Sequence, residues 1–357
     1  MITSIKLKNF RGFKDFAVSD LKPVTLLAGR NICGKTSLLE AVYILCNYLK
    51  PSFFVRINKN RGNTVIHNSS FIWDYLFNSS EADEKTFCIQ LTENADIIHE
   101  LTVTKRLNTS SPVDLAPDGS PAANNVIDAL DYAYYQKTQD GLLVKDQGSY
   151  LLQRGGIIRN SQASSGSVLR SRSAELLSAD YEIYDLAVRL GQIELKGQKE
   201  KLIDCVNIID SDIEDLILIM DECKTPEIFA KYKNHKLIPV SMAGHGLKQL
   251  LKIALSFLDD KVEVLLIDEI ERGFHYSVFP DLWKALTKLA AEFNKQLIAS
   301  THSADCIENF YQTFSSEEIA KLFKYVRLER DENGDLVPTA YNSEEFISSL
   351  DYKFEVR

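Results

Sequence analysis

A short apolar run, Val24-Thr25-Leu26-Leu27-Ala28, stops at Gly29 and leads through Gly29-Arg30-Asn31-Ile32-Cys33-Gly34-Lys35-Thr36 into a stretch with helical spacing that reaches Tyr48. A run apolar on both faces suits a buried parallel strand, and a helix starting directly behind it requires an α/β fold. The spacing G-x4-G-K-T between the two is that of a P-loop. Its glycines let successive backbone N–H groups curl around a phosphate, and the helix N-terminus adds its positive dipole end. Lys35 is expected to reach the β and γ phosphates of ATP, and the Thr36 hydroxyl to ligate Mg2+. A fortuitous Gly-Lys-Thr turn is the bland alternative, and the strand-loop-helix setting argues against it.

Two later segments are the complements such a loop needs. Val264-Leu265-Leu266-Ile267-Asp268-Glu269 is an apolar strand ending in two carboxylates, at the edge of a parallel sheet where ligands bind. Asp268 is expected to hold Mg2+, mostly through water, and Glu269 to act as general base toward the attacking water. Alone, the motif reads equally as a strand end with an N-cap aspartate. Leu297-Ile298-Ala299-Ser300-Thr301-His302-Ser303 repeats the pattern and delivers His302, placed to hydrogen-bond the γ-phosphate. A polar rim histidine is the alternative there.

Elsewhere the sequence predicts an antiparallel pair at Ile2–Phe10 and Phe13–Val18, further strands between Lys85 and Arg106 with a turn near Asn94, and an exposed loop from Leu107 to Asn125. Arg154 to Arg172 reads as a mobile segment carrying Arg154, Arg159, Arg170 and Arg172, which either contact nucleic acid or an acidic partner or are solvated charges. Ala174 to Asp221 reads as two or three helices. A helix over Phe279–Phe293, a strand over Gln296–Ser300 and a strand over Phe323–Leu328 close the chain. The expected division is a P-loop lobe (1–106), a loop-rich and helical insertion (107–235) and a C-terminal lobe (236–357).

The 357 residues are 45% hydrophobic and 25% charged, enough for a large core. A formal charge of −9 argues against a protein that coats nucleic acid over its whole surface, though not against one with a local basic patch. Six scattered cysteines without a C-x-x-C pair suggest neither zinc nor a disulfide framework and suit a reducing cytosol. No run approaches the roughly 18 apolar residues of a spanning helix, so a cytoplasmic protein without a membrane partner is expected.

The opening Ile5-Lys6-Leu7-Lys8-Asn9-Phe10-Arg11-Gly12-Phe13, the P-loop, Leu266-Ile267-Asp268-Glu269-Ile270-Glu271-Arg272-Gly273-Phe274-His275 and Ser300-Thr301-His302-Ser303 together resemble the ABC-superfamily ATPases typified by RecF, the SMC heads and, above all, the OLD-type ATPases of the AAA group. The resemblance spans essentially the whole chain. It implies an α/β P-loop ABC-type ATPase head with an N-terminal antiparallel β subdomain and a helical insertion. It also implies that Gly29, Asn31, Ile32, Cys33, Gly34, Lys35, Thr36 and Ser37 line the nucleotide phosphates, that Arg11 approaches the nucleotide, and that Ile270 to Gly273 form the D-loop of a dimer interface.

Two positions depart from the family pattern. Cys33 stands where Ser or Gly is usual and puts a thiol beside the phosphates. In Ser241-Met242-Ala243-Gly244-His245-Gly246-Leu247-Lys248-Gln249, which matches the signature loop, Gly246 fits but Gly244 replaces the serine that binds the partner's γ-phosphate. The backbone at Gly244 to Leu247 remains a candidate anion nest; a glycine-rich helix cap is the alternative. Gln90 is the best-placed Q-loop candidate, without a firm assignment.

The expected function is a Mg2+-dependent ATPase closing as a homodimer, or larger oligomer, on ATP and controlling a partner. A nuclease or effector of phage defence is the expected partner. Only 55 residues follow His302, too few for the TOPRIM nuclease domain that OLD relatives often carry, so the effector is expected to be a separate polypeptide. An ATP-gated scaffold with little turnover and a RecF-like DNA-repair ATPase are the alternatives. A GTPase is disfavoured, because Asn58-Lys59-Asn60 and Asn294-Lys295-Gln296 lack the aspartate that would read guanine.

Overall fold

Alternation makes the first strand: Ile2, Ile5, Leu7 and Phe10 are buried while Lys6, Lys8 and Asn9 are exposed along β1 (Ile2–Phe10). The computed structural model describes residues 1–62, 71–78, 85–94, 96–106, 126–138, 141–153, 156–161, 172–177, 183–208, 210–220 and 225–340. Two compact units emerge. The first comprises residues 1–21, 32–172 and 328–339; the second comprises 22–31, 173–327 and 340–357.

In the first unit a tight turn at Arg11-Gly12 pairs β1 with β2 (Phe13–Ser19), Leu7 opposite Phe16. Beyond β3 (Val24–Ala28), a strand of the second unit, come α1 (Lys35–Cys46), α2 (Ser52–Asn60), α3 (Phe71–Asp74), β4 (Thr86–Glu93), β5 (Ile97–Lys105), β6 (Val126–Thr138), β7 (Gly141–Gln153) and β8 (Gly156–Ser161). The strands form one antiparallel sheet in the order β2-β1-β4-β5-β6-β7-β8. Helix α1 packs against β1, β4 and β5. Where α1 ends, aromatic side chains fill the space: Tyr48 stacks on Tyr134 at 4.2 Å, and the Tyr150 hydroxyl donates to the Tyr48 carbonyl at 2.6 Å. That bond satisfies a buried polar group within an otherwise apolar cluster that also holds Phe53, Phe54 and Trp73.

The second unit continues with β9 (Ala174–Leu177), α4 (Ile183–Leu195), α5 (Lys199–Val206), β10 (Ile213–Met220), β11 (Pro226–Tyr232), β12 (Leu237–Pro239), α6 (His245–Leu258) and β13 (Val264–Ile267). A 3-10 turn at Tyr276–Val278 leads into α7 (Phe279–Glu292), followed by β14 (Gln296–Ser300), α8 (Ala304–Thr313), α9 (Ser316–Leu322) and β15 (Phe323–Arg330), which belongs to this unit through Arg327, whereas β16 (Leu336–Ala340) belongs, but for its last residue, to the first unit. Strands β15, β3, β14, β13 and β9 lie side by side in that order, every pair parallel. Every residue of β3, β13 and β14 is buried, as strands covered on both faces must be.

Register then sets where the chemistry sits. Ser300 pairs with Leu27, and Ala299 with Ile267, so β3, β14 and β13 end side by side. Gly29, His302 and the Asp268-Glu269 pair therefore all leave from one carboxyl edge, where ligands of open α/β sheets bind.

Within the described residues of 107–235, β6, β7 and β8 extend the antiparallel sheet of the first unit, and the two units divide between residues 172 and 173. The expected loop 107–125 lies outside the described residues. Among the described residues of 174–221, α4 and α5 are two of the two or three helices expected, while β9 and β10 are strands that the sequence did not separate from helix, because runs of four to eight apolar residues do not distinguish the two by periodicity. The arginine segment includes a regular strand, β8, with Arg159 on it.

Candidate nucleotide-binding site

The P-loop backbone takes left-handed values at Ile32 (φ 67) and Gly34 (φ 88), with Gly29 at φ 139. Gly34 is sterically required, since a Cβ there would stand 2.8 Å from Phe13 and 2.9 Å from Leu336. A β-branched residue in the left-handed region is an outlier, and Ile32 is held there with 90% of its surface exposed. Helix α1 begins at Lys35 with no side-chain cap and no acidic residue in its first turn. An N-terminus of that kind suits an anion, both by its dipole and by its N–H groups. Lys35 is largely buried, its Nζ 3.8 Å from the Cys33 sulfur, while Asn31 is exposed and Thr36 and Ser37 are half-exposed.

Arg11 lies against α1. Its Nε is 2.8 Å from Oε2 of the fully buried Glu40, without hydrogen-bond alignment, and burial lowers its guanidinium to about 10 against the opposing pull of Glu40. Arg61 from the end of α2 donates to the same carboxylate at 2.7 and 2.8 Å and to Ser37 Oγ at 3.3 Å. Neither Glu40 nor Arg61 was singled out from the sequence. The signal was a carboxylate inside Leu38-Leu39-Glu40-Ala41-Val42, which can be buried only with a cationic partner.

At the carboxyl edge of the parallel sheet, Ser300 joins the two acidic residues. Its hydroxyl, fully buried, donates to Asp268 Oδ1 at 2.5 Å and accepts the Glu269 N–H at 2.9 Å. Glu269 sits at φ 52, held there also by the Ile270 N–H donating to the Ser300 carbonyl and the Arg272 N–H to the Glu269 carbonyl. The next turn brings Glu271 to His302: the His302 N–H donates to Oε1 at 2.9 Å and Nδ1 lies 2.7 Å from the same oxygen. Ser300 and Glu271 are thus site residues that a motif search does not reveal.

The signature segment leads into α6, whose N-cap is Gly244 at φ −54, ψ 149, again without a side-chain cap. A Cβ at Gly244 would meet nothing within 4 Å. Gly273 is the opposite case. With φ 88, a Cβ there would be 2.6 Å from His245 Cδ2 and 3.4 Å from the Gly246 nitrogen, so the turn after Glu269 rests on the first residues of α6.

Gln90 lies inside β4, paired with Lys6 and Glu100, and is not in a loop. Arg159 is ion-paired with the fully buried Asp146, and Arg172 with Glu93; Arg154 and Arg170 lie outside the described residues. Lys295 is structural: it donates to the carbonyls of Ser256 (3.1 Å) and Asp259 (2.5 Å) where α6 ends, and burial lowers its ammonium to about 8.

A parallel sheet with a phosphate loop between β3 and α1, and with carboxylates leaving the same edge two strands away, defines the class: an ABC-type P-loop ATPase head. Over residues 24–306 the chain belongs to the family described as "AAA domain, putative AbiEii toxin, Type IV TA system". It is 25% identical to an "ATP/GTP phosphatase" of Helicobacter pylori over 99% of this chain and 98% of that one. It is 24% identical to the OLD nuclease of Thermus scotoductus, covering 98% of this chain and 66% of that protein, and 31% identical to RecF of Acholeplasma laidlawii over 29% and 24% of the two lengths. Among solved structures, an SMC head bound to the C-winged helix domain of ScpA has the same fold (TM-score 0.52, 12% identity, 97% of this chain and 99% of that one). The chain is therefore an ABC/AAA-family ATPase domain related to OLD and RecF.

Proposed function

We propose that the chain hydrolyses ATP with Mg2+ and closes as a dimer on the nucleotide, releasing on hydrolysis, so that a bound partner is switched on a timed cycle. The observation that carries this reading is the Asp268–Ser300–Glu269 linkage at the edge from which the P-loop also departs. A chain that only bound nucleotide would have no need to hold Glu269 in a left-handed conformation.

Each residue then has a task. Backbone N–H groups from Gly29 to Thr36, with Asn31, Ile32, Cys33 and Ser37 around them, cradle the phosphates, and Lys35 neutralises the β and γ oxygens. Mg2+ usually keeps several of its waters and is held by one or two protein oxygens together with substrate phosphates; Thr36 would hold it directly and Asp268 mostly through water. Mg2+ supplies charge neutralisation on the phosphates. Glu269 accepts a proton from water as its oxygen bonds to the γ-phosphorus, while the bond from that phosphorus to the β–γ bridging oxygen breaks and ADP leaves. His302 contacts the γ-phosphate, and Gly244 to Gly246 of a second copy close over it from outside.

Water positioning that depends on closure makes unstimulated turnover slow. The controlled partner is a separate effector protein such as a nuclease acting in phage defence. Among the described residues no helix is long and apolar enough to cross a membrane. The RecF-like alternative loses ground: the chain carries −9, and Arg159 and Arg172 are engaged internally. The decisive assay compares Mg2+-dependent ATP hydrolysis by wild type, Lys35→Ala and Glu269→Gln. Turnover in wild type alone supports the reading; wild type no faster than Glu269→Gln leaves the ATP-gated scaffold.

A further inference from the structure

Glu271 lies two residues beyond the candidate general base, and the roles above do not use it. Its side chain is only 9% exposed, and its Oε2 is buried without a hydrogen-bond partner. A buried carboxylate oxygen left without a donor is destabilising, so the position is not explained by packing alone. The other oxygen, Oε1, receives two contacts from one residue, the His302 N–H and His302 Nδ1. The first contact locates the backbone of His302 and the second orients its ring.

We propose that Glu271 is the positioning residue of His302, holding the imidazole as its Nδ1–H tautomer so that Nε2 is the nitrogen presented to the nucleotide. This rests on the ATPase reading for its purpose, though not for its geometry. A carboxylate oxygen only accepts, so the Nδ1 it meets at 2.7 Å carries the proton. The neutral ring then has a lone pair at Nε2, on an imidazole whose side chain is 51% exposed. A γ-phosphate oxygen also only accepts, so its contact with the ring requires a proton at Nε2, and Glu271 is the acceptor that holds the proton at Nδ1. The arrangement repeats on an unrelated fold the logic of a catalytic histidine held by a buried carboxylate.

Turn geometry makes the placement coordinated. Ile270, between Glu269 and Glu271, is fully buried and donates its N–H to the Ser300 carbonyl at 2.9 Å. One anchored turn thus sets both the candidate base and the group that orients the histidine.

The test is a long-range proton–nitrogen spectrum of the full chain labelled at histidine, without nucleotide, with His302 assigned by its loss in His302→Gln. The neutral ring is expected to show a protonated Nδ1 and a bare Nε2. In Glu271→Ala the ring should shift toward the Nε2–H form. In Glu271→Gln it should stay as in wild type, because the two N–H donors at Oε1 select the amide oxygen. In kinetics, Glu271→Ala should lower kcat about 100-fold with KM within about threefold, and Glu271→Gln should recover to within about tenfold of wild type, the range of outer-sphere positioning residues. A wild-type ring already in the Nε2–H form, a ring unchanged in Glu271→Ala, or a loss carried by KM would overturn the assignment. If wild type hydrolyses no faster than Lys35→Ala, the ATPase reading falls instead, and the spectrum still decides whether Glu271 holds the ring.

Discussion

Replacing Ser300 with alanine removes one buried oxygen and, with it, the hydrogen bonds to Asp268 Oδ1 and from the Glu269 N–H. The first is charge-assisted, about 1.5–3 kcal/mol, and the second contributes about 0.5–1.5 kcal/mol. Against them stands the cost of a non-glycine residue at φ 52 in Glu269, about 1–2 kcal/mol. Only the second bond acts on Glu269, and it offsets much of that strain beside the Ile270 and Arg272 backbone bonds; without the hydroxyl the strain is opposed by those backbone bonds alone. Glu269 should relax and its carboxylate should swing from the water it is meant to polarise, lowering single-turnover hydrolysis about 100-fold, as a displacement near 1 Å does. Asp268, losing a partner that fixes its orientation, should need about tenfold more Mg2+ for half-saturation. A fluorescent ATP analogue titrated with Mg2+, alongside single-turnover kinetics, reads both effects. Hydrolysis and Mg2+ dependence both within about twofold of wild type would refute the role given to Ser300.

Gly273→Ala places a Cβ 2.6 Å from His245 at a left-handed φ; the imidazole can yield but the backbone cannot, so a loss of about 1–2 kcal/mol, seen as a lower Tm, should accompany impaired ATP-dependent association with ATP binding retained. Gly244→Ser meets open space at an ordinary N-cap conformation and should raise Tm slightly, since serine exceeds glycine there by a few tenths of a kcal/mol. By restoring a hydroxyl where the family carries one, it should also slow dissociation of the ATP-bound dimer, measured by light scattering after dilution. For Lys295 the folded pKa of about 8 lies below the ordinary 10.5, so between those values the unfolded chain holds a proton the folded chain has lost. Stability from this group therefore rises with pH across that window and falls away as pH drops through 8; in Lys295→Met the corresponding slope of Tm against pH should be absent.

The nucleotide loop and the strands beside it were legible because each is a local signal: glycine spacing, an unbroken apolar run, an abrupt carboxylate or histidine at its end. The extent of the antiparallel sheet was not, because β6 pairs with β5 from the far side of residues 107–125, and the alternation of Tyr132 and Tyr134 acquires a buried side only when Tyr48 is seen stacked on Tyr134. Residues that act through others were hidden for a related reason. Ser300 and Glu271 become significant only when the parallel register brings β14 beside β13. The arginines fit neither alternative the sequence left open for them, contact with nucleic acid or an acidic partner or solvated charge, at the two described positions: Arg159 and Arg172 are ion-paired within the fold with Asp146 and Glu93.

The most direct measurement of the proposed cycle is the mass of Glu269→Gln by light scattering in Mg2+ and ATP, beside Lys35→Ala under the same conditions and both without nucleotide. A nucleotide-closed switch requires Glu269→Gln to shift to a dimer or larger assembly only when ATP is present, with Lys35→Ala unchanged. If Glu269→Gln binds ATP yet keeps the same mass with and without it, closure on the nucleotide is not what this chain does.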